Sequence, residues 1–230
     1  MAAVPGAWAV VVAAGGGSRF GGYKQFVPLC GREVVDWSLD VAKRMCSGVV
    51  LVVPPSLVSR YEARADRVVA GGDTRTASVA AGLAAVPSEA GVVVVHDAAR
   101  PLASDALWQA VIGALAAGVD AAVPCVAVAD TIKQRNDGGR LVTLDRERLV
   151  ASQTPQAFSA TALRAAHARA RATGAEATDD AALVEAIGGS VAAVEGESSN
   201  LKLTRPVDLE VASALLKARA PRPEVARAWL

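Results

Sequence analysis

The chain has few of the residues from which metal cages and disulfide frameworks are built. Its three cysteines, Cys30, Cys46 and Cys125, are widely spaced with no CxxC pair. That spacing argues against a zinc site or a disulfide scaffold, and each is expected to act as a small buried hydrophobe in a reducing compartment. Histidine occurs only twice, at His96 and His167, and no acid–base dyad stands out. Charge of one sign is also lacking. Lys and Arg number 24 against 23 Asp and Glu, a net +1, which removes any chain-wide electrostatic case for nucleic acid or an anionic membrane. A phosphate ligand would have to be held by a few placed cations. The apolar run Trp8–Ala14 is too short to span a bilayer and has no basic residue before it. It reads as a buried strand rather than a signal peptide, and the cytoplasm is the expected compartment.

What is present is apolar. A hydrophobic share of 52% with 20% charged residues excludes a disordered chain. A length of 230 residues suits one domain with an appendage. Unbroken valine-rich runs at Ala7–Ala13, Gly48–Val53, Val68–Ala70, Gly91–Val95 and Asp120–Val126 mark strands covered on both faces. Helical patterns fall between them at Val34–Met45, Thr74–Val86 and Ser104–Ala117, the last with Ser104 as N-cap and Gly118 as stop. Further on come helices at Ala160–Thr173 and Asp180–Ile187, a strand at Ser190–Val194, and a last helix after Pro206. Alternation of this kind predicts an α/β domain over residues 1–230, with a mostly parallel, Rossmann-like sheet flanked by helices. Residues 130–152 break the rhythm: short strands flank Asn136–Gly139 in a strongly charged stretch. They predict a projecting β-arm that reaches substrate or a second subunit, or else a solvated hairpin.

The strongest local feature is AAGGGSRFGGYKQ, Ala13–Gln25, directly after the first strand. Gly15, Gly16 and Gly17 let backbone N–H groups approach a phosphate, and Arg19 and Lys24 add cations. Two common phosphate motifs are absent. Phe20 stands where GxGxxG needs its third glycine, and Gln25 follows Lys24 where a Walker loop needs Ser or Thr.

This loop resembles the AAGxGxR…PKQ signature of sugar and polyol phosphate nucleotidyltransferases. Further segments narrow the resemblance: GGDTRTASVAAGL at Gly71–Leu83, VVVVHDAARP at Val92–Pro101, DTIK at Asp130–Lys133, TPQAF at Thr154–Phe158, TDDAAL at Thr178–Leu183 and NLKLTRPVDL at Asn200–Leu209. In this order they are similar to the 2-C-methyl-D-erythritol 4-phosphate cytidylyltransferase family. The resemblance implies the nucleotidyltransferase type A fold, a homodimer joined through the β-arm, and Mg²⁺ as cofactor. The implied reaction joins CTP and 2-C-methyl-D-erythritol 4-phosphate to 4-diphosphocytidyl-2-C-methyl-D-erythritol, with release of pyrophosphate.

The implied roles are as follows. Arg19, Lys24 and Lys202 are catalytic cations. Ala13, Ala14, Gly15, Gly16, Gly17, Gly72, Asp73 and Ser78 bind CTP, and Asp97 holds Mg²⁺. Arg100, Thr131, Thr154 and Thr178 contact the acceptor phosphate, and Arg146 reaches into the partner's site. Arg75 either orders the loop beside Asp73 or contributes to substrate binding. His96 reads as structural, His167 as a surface residue, and Trp37 and Trp108 as packing. One departure is that Tyr23 replaces the proline usual before the lysine, which predicts a loop that is loose without CTP and closes on binding. Two alternatives stay open: a ribitol 5-phosphate acceptor, or a regulatory module that holds CTP without turnover. The matching segments end near Leu216, so a fused second enzyme is not expected.

Overall fold

A computed structural model of the chain describes residues 3–17 and 20–219. The elements run β1 (Val4–Val12), β2 (Pro28–Leu29), β3 (Arg32–Glu33), α1 (Val34–Met45), β4 (Cys46–Val53), α2 (Val58–Tyr61), β5 (Arg67–Ala70), α3 (Arg75–Ala84) and β6 (Val92–Asp97). There follow α4 (Asp105–Ala114), β7 (Ala121–Ala127), β8 (Lys133–Arg135), β9 (Leu141–Thr143), β10 (Val150–Ser152), β11 (Gln156–Ser159), α5 (Ala160–Thr173), α6 (Asp180–Ala186), β12 (Val191–Glu195) and α7 (Val207–Arg219).

The main sheet runs β5-β4-β1-β6-β11-β7, with β10 and β12 also paired to β7. Strand β1 is parallel to β4 and β6, β4 to β5, and β7 to β12. Strand β11 lies antiparallel between β6 and β7, so the sheet is mixed. That insertion has no sequence signal of its own, because four residues leading straight into α5 show neither alternation nor a long apolar run.

Continuous apolar runs become two cores through the pleat, since successive side chains leave a strand on opposite faces. Ala7, Ala9 and Val11 of β1, Val49, Leu51 and Val53 of β4, and Val94 of β6 face α1 and α4. Val10, Val50, Val52, Val93 and Val95 face α3, α5 and α6. Each helix meets its core with a periodic stripe, such as Val35, Leu39, Ala42 and Met45 on α1. The caps are those that the local residues favour. The Ser104 side chain accepts from the Leu107 N–H at the start of α4, and Gly174 ends α5 at φ +68°.

Three expectations need correction. Cys30 is exposed, because with Gly31 it forms the positive-φ corner (φ +51° and +82°) of the β2–β3 hairpin rather than packing in a core. His167 is buried, because its face of α5 turns toward the start of α6 rather than toward water. The arm ends earlier than residue 152. Strands β8 and β9 form a separate two-stranded sheet, whereas β10 pairs with β7 of the main sheet. The last helix begins directly after Pro206, as expected. No helix among the described residues is long and apolar enough to cross a membrane.

Candidate active site

Strand order places the site. From β1 the chain steps outward to β4 and β5, then returns to β6 on the other side of β1. The carboxyl ends of β1 and β6 therefore bound a crevice at a topological switch point, the usual ligand edge of an open α/β sheet. A cleft of about 260 Å³ opens there. Gly15, Gly16 and Gly17 after β1, Gly72 and Asp73 after β5, and Asp97 at the end of β6 line it. Of the other expected residues, Ala14, Lys24, Ser78 and Lys202 line it too, and Val12, Gln25, Thr74, Arg75 and Ala99 lie among them. A larger groove of about 780 Å³ between α3 and α5 is lined mainly by alanine and contains none of the expected site residues.

Glycine is required in the loop at one position above all. Gly17 sits at φ +64°, and a Cβ there would collide with the Gly22 carbonyl oxygen. The Gly17 carbonyl accepts from the N–H groups of Phe20, Gly21 and Gly22, folding the loop back toward Lys24. Gln25 ties the two sides together by donating to the Gly15 carbonyl at 3.0 Å. Across the cleft, the Ser78 hydroxyl donates to the Gly72 carbonyl at 3.2 Å.

Asp97 is the charge at the centre. One carboxylate oxygen meets the Lys202 ammonium, and the other lies 3.4 Å from Arg75 Nε. Burial opposes ionisation, but Lys202 and Arg75 outweigh it and hold the carboxyl well below the usual carboxylate range. Its backbone N–H donates to the Thr154 hydroxyl, which in turn pairs with His96 Nδ1. His96 Nε2 faces the Arg100 carbonyl at 3.2 Å. The tautomer that satisfies all three contacts donates from Nε2 and accepts at Nδ1, so the imidazole is neutral. Burial pushes its pKa down to about 4. His96 is thus a structural, hydrogen-bonded histidine, as expected.

Lys202 is positioned by buried contacts on both sides of it in sequence. Asn200 is fully buried and donates to Gln153 Oε1 and to the Thr154 carbonyl. Leu203 is fully buried, and its N–H donates to the Ala99 carbonyl. Residue 202 lies outside any strand, so its lysine is not an ordinary exposed strand residue.

Other expected residues fall elsewhere. Arg19 lies outside the described residues. Ala13 is fully buried in the core, because its N–H continues the ladder to the Val52 carbonyl. Arg100 donates to the carbonyls of Asn200 and Ser152, and Thr154 is buried beneath Asp97. Thr131 and Thr178 are exposed and do not line the cleft. The Arg146 guanidinium donates to the Ala129 carbonyl of its own chain at 2.8 Å. Asp180 was legible in the sequence only as a helix start, not as a buried partner of Arg75. An aspartate at a helix start looks like a cap, but here Asp179 caps α6 while Asp180 is fully buried against Arg75 and His167.

Among the described residues, no cluster of three or more His, Cys, Asp or Glu could hold a metal by protein groups alone. The cleft does fit Mg²⁺ in another way. Mg²⁺ takes one or two carboxylates and completes its shell with phosphate oxygens and water. Asp97 supplies one carboxylate beside a loop shaped for phosphates.

A family profile described as "IspD: 2-C-methyl-D-erythritol 4-phosphate cytidylyltransferase" matches residues 7–218. The chain is 42% identical to the 2-C-methyl-D-erythritol 4-phosphate cytidylyltransferase of Gloeobacter violaceus, covering 91% of this chain and 96% of that one. It is also 42% identical to the bifunctional enzyme IspD/IspF of Nitratidesulfovibrio vulgaris, over 95% of this chain but only 59% of the relative. The chain thus spans about three fifths of the length of such bifunctional relatives. Among solved structures, the Thermus thermophilus cytidylyltransferase superposes with a TM-score of 0.79 at 38% identity, covering 90% of this chain and 98% of that one. The 4-diphosphocytidyl-2C-methyl-D-erythritol synthase of Anaerococcus prevotii superposes with a TM-score of 0.81 at 30% identity, covering 92% and 98%. With sequence and fold in agreement along nearly its whole length, the chain belongs to the 2-C-methyl-D-erythritol 4-phosphate cytidylyltransferase family.

Proposed function

We propose that the chain transfers the cytidylyl group of CTP to 2-C-methyl-D-erythritol 4-phosphate and releases pyrophosphate, in the non-mevalonate route to isoprenoids. The observation that carries this reading is the cleft itself, where Gly15–Gly17, Lys24, Asp97 and Lys202 face one another. The nucleophile is a phosphate monoester with a second pKa of about 6, so it is largely dianionic at neutral pH and needs no general base. The barrier is an anion attacking an anion. Catalysis then consists of neutralising charge and aligning the two phosphates.

The chain's residues divide that work. The backbone of Gly15–Gly17 and Arg19 cradle the triphosphate. Lys24 and Lys202, on opposite sides of the α-phosphorus, meet the charge that grows in the pentavalent transition state. Gly72, Asp73 and Ser78, with Ala14, hold the cytosine and ribose. Asp97 holds Mg²⁺, which when bound supplies positive charge to the triphosphate oxygens. Arg100, Thr131, Thr154 and Thr178 serve the acceptor side. Of these, Thr154 acts by fixing the Asp97 backbone and Arg100 by fixing the Asn200 carbonyl just before Lys202.

The active form is a homodimer joined through the arm, whose Leu141 and Val142 stand 60% and 50% exposed in the single chain. In that dimer Arg146 leaves the Ala129 carbonyl and enters the partner's cleft.

Pyrophosphate release with CTP, Mg²⁺ and each acceptor in turn tests the reading. Turnover is expected with methylerythritol 4-phosphate and not with ribitol 5-phosphate. The reverse preference would reassign the acceptor. CTP binding without turnover on either would leave a nucleotide-binding module.

A further inference from the structure

Arg75 is the one cation of the cleft to which no part of the proposed reaction gives a role. It occupies the first position of α3, behind the Thr74 cap, and its side chain is about one quarter exposed. Its guanidinium spans two carboxylates. Nε lies 3.4 Å from Asp97 Oδ1, and Nη1 donates to Asp180 Oδ2 at 2.8 Å. The other oxygen of Asp180 meets His167 Nε2 at 2.9 Å. A line of contacts, ionic from Lys202 through Asp97 and Arg75 to Asp180 and hydrogen-bonded from Asp180 to His167, thus runs from the mouth of the cleft to the buried face of α5.

The two ends differ in freedom. Lys202 is 38% exposed and ends in an ammonium, a point charge on a flexible stem that can change partners. Asp180 is fully buried between Arg75 and His167, so Arg75 cannot leave without stranding a charge out of water. Arg75 Nη2 is itself buried with no partner among the described residues. Asp97 is therefore held on one oxygen by a fixed donor and on the other by an exchangeable one.

We propose that Arg75, anchored by Asp180 and His167, is a positioning residue that keeps one oxygen of Asp97 occupied so that the other is presented to the metal–CTP complex while Lys202 is released to the α-phosphorus. This rests on the reading of Asp97 as the metal ligand. A ligand carboxylate whose second oxygen is pinned loses less freedom when it binds, and groups of this outer kind set metal affinity.

The test is the gain in CTP affinity that Mg²⁺ confers, measured by calorimetry with and without the ion. Arg75→Lys keeps a counter-charge beside Asp180 but cannot bridge both carboxylates. Arg75→Gln combined with Asp180→Asn removes the bridge without leaving a buried charge unpaired. In both, the Mg²⁺-dependent gain is expected to fall about tenfold, while CTP binding without metal stays within about threefold of the parent. A parental gain in either folded variant overturns the proposal, since a merely structural or charge-balancing arginine would be replaced by lysine without effect. Asp97→Asn separates the two layers. If it abolishes the gain while the Arg75 variants keep it, Arg75 is not a positioning residue. If Asp97→Asn itself keeps the gain, the metal-ligand reading falls and the proposal falls with it.

Discussion

The cleft and the arm are both rich in charged side chains, yet they hold them differently. In the cleft, Asp97 and Asp180 are buried and each has a named counter-charge within the same chain. In the arm, every residue of β8 and β9 is exposed, and the hairpin's own contacts include a Lys133–Thr143 bond at its edge. A site that satisfies its charges internally keeps its geometry before any ligand arrives. An arm that leaves leucine and valine in water presents a surface suited to a second chain. On the proposed dimer, the difference separates what one chain completes by itself from what two complete together.

Removing a cation from the cleft should have the largest effect. Lys202→Ala is expected to lower kcat by ~10²-fold or more, as loss of an oxyanion donor does. KM for CTP should change only a few-fold. A variant with unchanged kcat and raised KM would make Lys202 a ground-state binding residue instead, visible in a steady-state pyrophosphate assay.

Acid should weaken the cleft before it affects the arm. Burial holds the His96 pKa down at about 4, against about 6.5 for an unfolded histidine. Between those values the unfolded state takes up a proton that the folded state does not. Stability should thus be full above about pH 6.5 and decline as pH falls toward 4, by up to about 3 kcal/mol. Asp97, whose pKa is held down by Lys202 and Arg75, should add a further loss only below the ordinary carboxylate range. With two histidines in the chain, NMR titration of the imidazole protons can follow His96 directly, alongside thermal melts across the same pH range. A His96 that titrates near 6.5 would mean that its network with Thr154 does not hold it neutral.

Gly17→Ala probes the glycine loop. The methyl would have to displace the Gly22 carbonyl at a backbone angle that alanine disfavours, a strain of about 1–3 kcal/mol. CTP affinity is expected to drop about tenfold with the main sheet intact, readable by calorimetry and circular dichroism. Unchanged affinity would show that the loop does not approach the triphosphate closely.

The arm gives the smallest effect on the single chain. Leu141→Ser with Val142→Ser is expected to convert a dimer to a monomer by analytical ultracentrifugation. The monomer's own stability should change by no more than ~0.5 kcal/mol, because both side chains are already exposed. A double variant that remains dimeric would place the interface elsewhere.

Much of this comparison is legible in the sequence. Valine runs broken by glycine and cap residues marked β1, β4, β6, β7 and most helices, because buried strands and amphipathic helices each leave a local period. The Gly15–Gly17 loop, which lines the cleft, stands out through the same local logic as a stretch without side chains directly after β1. Strand β11 was not legible, since four residues carry no period, nor was Cys30 at a positive-φ corner. His167 misled for a related reason: arginines flank it in sequence, but the helix turns it away from them and onto Asp180.

The sequence by itself determined where chain segments become strands and helices and which loop is free of side chains, because propensity, capping and periodicity act between near neighbours. Only the tertiary structure decided that Lys202 meets Asp97 across 105 residues and that Arg75 is anchored to Asp180 across another 105. Pairing between distant charges depends on which strand ends the sheet order brings side by side, and on burial that makes an unpaired charge too costly to keep.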